Sequence, residues 1–197
     1  MIKMKKALGA KLVGNICPVW LVATYDKNDK PNLLNVGACG WANGKPPCVQ
    51  VSIRDIRYSH SAIVERKAFT VNIPSDDQWK EADYAGIASG RDADKFKDLG
   101  FTPVKSDLVD APMILECPVN FECRLIGSIE LGYNTLFIGE VLDVKVDEHV
   151  IDEELGPDIR LIKPMVYWAN WGWKGNSYHS IGSELGKVYT QKTKPQR

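Results

Sequence analysis

A chain of 197 residues is long enough to bury one substantial core, and its 25 basic and 25 acidic side chains cancel, which argues against a non-specific nucleic-acid surface that would need a basic excess. No apolar run approaches the roughly 20 residues that cross a bilayer, so no membrane partner is expected. Five cysteines (Cys17, Cys39, Cys48, Cys117 and Cys123) form no Cys-x-x-Cys pair and stand beside only three histidines, which argues against a metal cluster and fits reduced thiols in a cytoplasmic protein.

The basic opening, MIKMKKALGAKLVG, precedes only short apolar pieces and reads as a solvated N-terminal arm rather than a signal peptide. Val19 to Thr24 (VWLVAT) predicts a buried strand, and YDKNDKPN a polar turn carrying Pro31. Leu33 to Trp41 (LLNVGACGW) predicts one extended run with small residues in its second half, closed by the loop ANGKPP. From Cys48 to Ile53 the chain alternates, with Val49, Val51 and Ile53 on one face and Gln50 and Ser52 on the other. This strand runs into Arg54-Asp55-Ile56-Arg57-Tyr58-Ser59-His60-Ser61 and then a helix-like AIVERK.

Ala68 to Ile73 (AFTVNI) alternates strictly until Pro74. Ser75-Asp76-Asp77-Gln78 has the form of a capping box opening the helix WKEADYAGIAS. A second short helix, RDADKFKDL, ends at Gly100, a natural residue for a left-handed helix end. Two further strands follow. In the first, Val119, Phe121, Cys123 and Leu125 alternate with polar residues, and the second, Thr135 to Val146, carries Gly139 as a bulge or bend. Six or so strands and two or three helices, without regular alternation, predict a mainly β fold: a mostly antiparallel barrel with helical insertions. The expectation is a single domain spanning 1–197, with a core from about 12 to 186 and a mobile tail at 187–197.

Arg54 and Arg57 can present planar forks to a phosphate, Ser59 and Ser61 add hydroxyls, and a helix starting near Ser59 would add its free N–H groups. Taken alone, the same stretch also reads as an N-cap serine beside two solvated arginines. Asn35 to Gly40 offers small side chains and open main-chain groups against which a flat heteroaromatic ring can lie, or else marks a barrel corner. Ser89 to Phe96 (SGRDADKF) reads either as a loop and a solvated helix or as a lid bearing Arg91 and Lys95. The aromatic segment Tyr167 to Trp173 is read as core or interface packing ahead of a cover for a ligand. His149 and His179 are read as structural or surface residues.

In order, the chain carries Pro31-Asn32, Pro46-Pro47 before VQVSI, Arg54-x-x-Arg57-Tyr58-Ser59, FTVN at Phe69 to Asn72, and SGRDADKF. APMI at Ala111 to Ile114, ECPVNFEC at Glu116 to Cys123 and LFIGEV at Leu136 to Val141 follow. This ordered series, spread over about Pro18 to Gly186, resembles the flavin reductase-like family and, within it, the flavoredoxin branch. The resemblance implies an FMN-binding split β-barrel, a homodimer, and a flavin held without a covalent link near the subunit interface. Carried over by motif, Asn35, Val36, Gly37, Ala38, Cys39 and Gly40 would meet the isoalloxazine. Ser52, Arg54, Arg57, Ser59 and His60 would hold the phosphate and ribityl chain, with Asn72 supporting that wall. Ser89, Gly90, Arg91 and Lys95 would reach the flavin from the same or the partner subunit.

Two departures stand out. Gly132-Tyr133-Asn134 occupies the place where members often carry Gly-Asp-His, whose histidine is associated with nicotinamide binding. Asn35 and Ala38 stand where many flavoredoxin-like sequences have threonine and tryptophan. The resemblance therefore implies a retained FMN pocket and leaves its electron donor open, either NAD(P)H or a redox partner protein. The leading expectation is an FMN-dependent oxidoreductase or electron-transfer protein that needs no side-chain nucleophile or base. The alternatives are an NAD(P)H-dependent flavin reductase, a flavin-binding module without turnover and, distantly, a barrel for single-stranded nucleic acid, which the neutral charge disfavours.

Overall fold

The computed structural model describes residues 4–170, 174–186 and 188. The first half holds β1 (Val13–Pro18), β2 (Trp20–Tyr25), β3 (Pro31–Val36), β4 (Cys39–Gly44), β5 (Pro47–Ile53), α1 (Tyr58–Arg66) and β6 (Ala68–Ile73). The helical section comprises α2 (Trp79–Ile87) and α3 (Lys95–Leu99), followed by the short strands β7 (Pro103–Lys105) and β8 (Pro112–Ile114). The long hairpin of β9 (Val119–Glu130) and β10 (Thr135–Val146) comes next. The short β11 (Ile151–Asp152) and β12 (Gly156–Pro157), α4 (Ile159–Ile162), β13 (Met165–Asn170) and β14 (Ser177–Ser180) complete the order.

Seven strands form one sheet in the order β3-β2-β6-β9-β10-β5-β4, and every pairing in it is antiparallel. The expected mainly β class therefore holds. Trp20 and Val22 of β2 face one apolar cluster with Val49, Val51, Phe69 and Phe137. Val19, Leu21 and Ala23 face a second cluster with Ala82 and Ala85 of α2, Phe96 of α3, and Met165. A strand buried on both faces reads as an unbroken apolar run, which is why VWLVAT shows no alternation. Each valine, leucine, phenylalanine or methionine among them, fully buried, contributes on the order of 1.5–3 kcal/mol.

Local signals in the sequence set several element boundaries. Ser75 and Gln78 form the capping box, Gly100 ends α3 at φ 69°, and the β9–β10 register slips at Gly139. A Cβ at Gly139 would fall 2.4 Å from Phe69 Cζ, so the bulge and the packing of Phe69 both require glycine there.

The run Leu33–Trp41 differs from expectation. It is two strands, β3 and β4, joined by a bend at Gly37–Ala38, and these two strands lie at opposite edges of the seven-stranded sheet. The chain crosses from one edge to the other in two residues, and that crossing is the seam at which the barrel is split. The expected loop ANGKPP is correspondingly shorter, because Ala42 to Gly44 belong to β4 and Pro47 to β5. Residues 4–12 are exposed, but β1, which begins at the end of the stretch read as an arm, pairs with β13 along Cys17↔Tyr167 and Ile16↔Trp168. Trp168 is thus a sheet residue, whereas Trp171 and Trp173, and the tail from 187 apart from Val188, lie outside the described residues. His149 and His179 are exposed.

Candidate functional site

A cavity of about 610 Å³ lies at the seam. Asn35 and Val36 at the end of β3, then Gly37 and Ala38 of the crossing, form one side of it. Ser52, Ile53, Arg54 and Arg57, where β5 turns into α1, form a second. Asp83, Gly86 and Ile87 of α2 close a third, and Cys17, Tyr167 and Tyr178 of the small sheet a fourth. Asn134, from the β9–β10 turn, completes the lining beside Ser52.

The β5–α1 turn is held by its own backbone: Arg57 N–H donates to the Arg54 carbonyl, and His60 N–H to the Arg57 carbonyl, each at 3.0 Å. Arg57 rather than Ser59 is the N-cap residue of α1, in an extended conformation. Other arginines are spent: Arg66 pairs with Asp29 and Asp110, Arg124 with Glu140, Arg160 with Asp158, and Arg91 donates to the Ile56 carbonyl. No bond from the Arg54 or Arg57 guanidinium to a protein acceptor is formed among the described residues. Arg54 stacks over the Tyr133 ring at 4.3 Å, and its Nε is buried without a partner. Asn134 Nδ2 donates to Ser52 Oγ at 3.0 Å, while Asn134 Oδ1 is also buried and unpartnered. A cluster of unspent donors beside an open acceptor is costly unless something else meets them.

Of the residues singled out in the sequence, Asn35, Val36, Gly37, Ala38, Ser52, Arg54 and Arg57 line this cavity together. The remaining ones do not, and most have another occupation. Cys39 donates its thiol to the Val36 carbonyl at 3.0 Å, burial pushes that thiol's pKa up, and Gly40 faces open space. Ser59 is buried and accepts from Asn32 Nδ2 at 2.7 Å. His60 Nε2 meets Thr135 Oγ1 at 2.7 Å. Because Thr135 gives its own proton to Glu130, the imidazole is the donor in that pair. Asn72 is fully buried and spends its carboxamide on the Leu21 carbonyl, Thr70, the Ile114 N–H and Asn120.

In the SGRDADKF stretch, Ser89 accepts from the Arg91 N–H. Gly90 packs so tightly that a Cβ would fall 2.4 Å from Asn32 Oδ1. Lys95 turns inward within its own subunit: it is 3% exposed and donates to the Ala85 carbonyl at 3.1 Å. Burial, then the neighbouring Arg57 charge, lower its pKa to about 8. None of these four residues lines the cavity. Asp83, Asn134, Tyr167 and Tyr178 were not singled out as site residues; Asn134, through the Gly132-Tyr133-Asn134 turn, and Tyr167, at the head of the aromatic segment, gave a signal in the sequence, and Asp83 and Tyr178 gave none.

A family model described as a flavin reductase like domain matches residues 15–171. The fold is similar to that of a flavoredoxin of Desulfovibrio vulgaris (Miyazaki F), with 40% identity, coverage of 96% of this chain and 100% of that one, and a TM-score of 0.89. A flavoredoxin from Methanosarcina acetivorans is 29% identical over 97% of both chains, with a TM-score of 0.84. Over 116 residues, 59% of this chain, the sequence is 37% identical to a protein of Archaeoglobus fulgidus, and the match spans just under two thirds (66%) of that protein.

Proposed function

The chain belongs to the flavin reductase-like family, and from that premise we propose that it binds one FMN without a covalent link in the seam of the barrel and works as a flavin-dependent oxidoreductase or electron-transfer protein. One observation carries the reading: two arginines with unspent guanidinium donors line the same cavity as an orphaned Asn134 Oδ1. A phosphate monoester brings about −1.5 to −2 charges and three strong acceptor oxygens at neutral pH, which suits Arg54, Arg57 and the Ser52 hydroxyl. The orphaned Asn134 Oδ1 suits a hydroxyl donor such as the ribityl chain supplies. Small side chains at Gly37, Ala38 and Gly86 leave room for a flat ring against Val36 and Tyr167.

When bound, the flavin supplies the transfer of one or two electrons. The protein binds and orients it, keeps water from its buried side, and sets the hydrogen bonds that tune it. We assign Ser89, Gly90, Arg91, Lys95, Ser59, His60 and Asn72 to the support of that wall. A cytoplasmic homodimer remains part of this reading, since the edges of a split sheet call for cover. The inward course of Lys95 favours support within one subunit over a reach across two.

Fluorescence titration of flavin-stripped protein tests the reading directly. FMN is expected to bind at one per chain with quenching of its emission, and absence of binding would end it. The donor is tested separately, by anaerobic mixing with NADH, NADPH and small redox proteins. Tyr133 has one ring face covered by Arg54, which leaves a poorer seat for a nicotinamide that must come within roughly 3–3.5 Å of the flavin. Slow, weakly saturable reduction by both nucleotides is expected, and fast saturable bleaching at micromolar NADH or NADPH would make this an ordinary flavin reductase.

A further inference from the structure

The end of the cavity opposite Arg54 is organised by Asn35. Its Nδ2 donates to the Ala82 carbonyl at 2.9 Å and to the Tyr178 hydroxyl oxygen at 3.1 Å. That hydroxyl in turn gives its proton to Asp83 Oδ1 at 3.1 Å. The directions follow from the chemistry. A backbone carbonyl only accepts, and a phenol whose proton goes to a carboxylate can only accept from its other neighbour. The opposite amide orientation would set Asn35 Oδ1 against the Ala82 carbonyl. Both Asn35 N–H protons are therefore consumed, and the polar atom left for the cavity is Oδ1, an acceptor.

We infer that Asn35 Oδ1 is a fixed acceptor for a ring N–H of the bound ligand, and that Tyr178 and Asp83 are positioning residues that hold the carboxamide in that sense. This rests on the flavin reading above. An oxidised isoalloxazine carries one ring N–H, the imide at N3, so the fixed acceptor selects for an imide edge and against a ring alkylated there. Tyr178 reaches Asn35 across 143 positions of sequence, from a strand that no motif of the site includes. Burial and the adjacent Asp83 carboxylate raise the Tyr178 pKa, which keeps the phenol protonated as the relay requires.

The test compares FMN with 3-methyl-FMN, in which the imide proton is replaced, by fluorescence titration of stripped protein. Wild type is expected to prefer FMN by roughly ten-fold, the scale of one directed hydrogen bond. Asn35→Ala and Tyr178→Phe are expected to bring the preference within about two-fold. Asp83→Asn keeps an acceptor for the phenol and is expected to retain most of it, whereas Asp83→Ala frees the phenol proton and is expected to lose it. A merely structural Tyr178 would weaken both ligands alike and leave the ratio untouched. A ratio near one in wild type, or a ratio that survives in Asn35→Ala, overturns the inference, and Asn35→Ala decides even where Tyr178→Phe fails to fold. If wild type binds neither ligand, the flavin reading itself falls, and this inference with it.

Discussion

The two ends of the seam cavity follow opposite plans. At the β5–α1 turn the polar groups are left open: among the described residues the forks of Arg54 and Arg57 meet no protein acceptor, and Arg54 Nε and Asn134 Oδ1 are buried and orphaned. At the α2–β14 end the protons are spent inside the protein: the Ala82 carbonyl and the Tyr178 hydroxyl take the two Asn35 protons, Asp83 takes the Tyr178 proton, and Asn35 keeps only its oxygen for the cavity. An open cluster binds by charge and tolerates variation in what it holds. A saturated network with one group left over binds by direction and discriminates. On the function proposed above, one end serves affinity and the other selection.

The largest effect should come from breaking the open end. Arg54→Ala with Arg57→Ala removes two charge-assisted partners of a phosphate, each worth about 1.5–3 kcal/mol, so FMN affinity should fall by about two orders of magnitude or more. Riboflavin, which shares the ring but lacks the phosphate, should lose only a few-fold, chiefly from the lost Arg54–Tyr133 stacking. Paired titrations of the two ligands measure the difference, and equal losses would move the phosphate elsewhere.

The next effect sharpens the contrast from behind the wall. Gly90→Ala would bring a Cβ within 2.5 Å of Tyr58 Cδ1 as well as into the Asn32 carboxamide. Overpacking of this kind typically costs about 1–3 kcal/mol, so a fall of several degrees in Tm is expected by calorimetry. Because Tyr58 opens α1 next to Arg57, FMN affinity should fall several-fold, with the FMN to 3-methyl-FMN ratio unchanged. A change in that ratio would show that the two ends are mechanically coupled.

The open end was legible in the sequence because its parts are contiguous: Ser52, Arg54 and Arg57 sit within six positions, and a strand-to-helix junction is where anion-binding groups gather. At the other end only Asn35 was legible, since Asp83 and Tyr178 reach it only when β3, α2 and β14 are stacked. In the fold, apolar alternation gave the central strands, while β1 escaped notice because VGNICP carries little strand propensity and exists by pairing with β13. Ser59, expected at the phosphate, and Asn72, expected to support that wall, are each hydrogen-bonded within the protein. A polar residue in an apolar strand or at a helix start serves equally well to hold distant main chain, and spacing alone does not separate the two uses. The same ambiguity hid the β3–β4 break, since Gly37 and Ala38 suit an extended strand and a crossing equally.

The smallest predicted effect concerns Lys95, which belongs to neither end but sits behind Arg57. Its pKa is lowered to about 8 by burial and then by the Arg57 charge. A phosphate bound at Arg57 would offset that charge and raise the Lys95 pKa, so binding takes up a proton wherever free Lys95 is neutral. FMN affinity should therefore be flat from about pH 6.5 to 8 and weaken by up to a few-fold per unit above 8. Below about 6 the phosphate itself gains a proton and affinity falls again. Riboflavin should show neither slope. The same shift acts on folding with a definite sign. The unfolded lysine, near 10.5, holds its proton between pH 8 and 10.5 while the folded one does not, so this group makes stability rise with pH across that window and imposes its full penalty below 8. Lys95→Met should abolish both the alkaline loss of FMN affinity and that rise, measured as the difference from wild type in denaturant titrations at pH 7, 8, 9 and 10. Persistence of the alkaline loss in Lys95→Met would assign it to another group and detach Lys95 from the anion end.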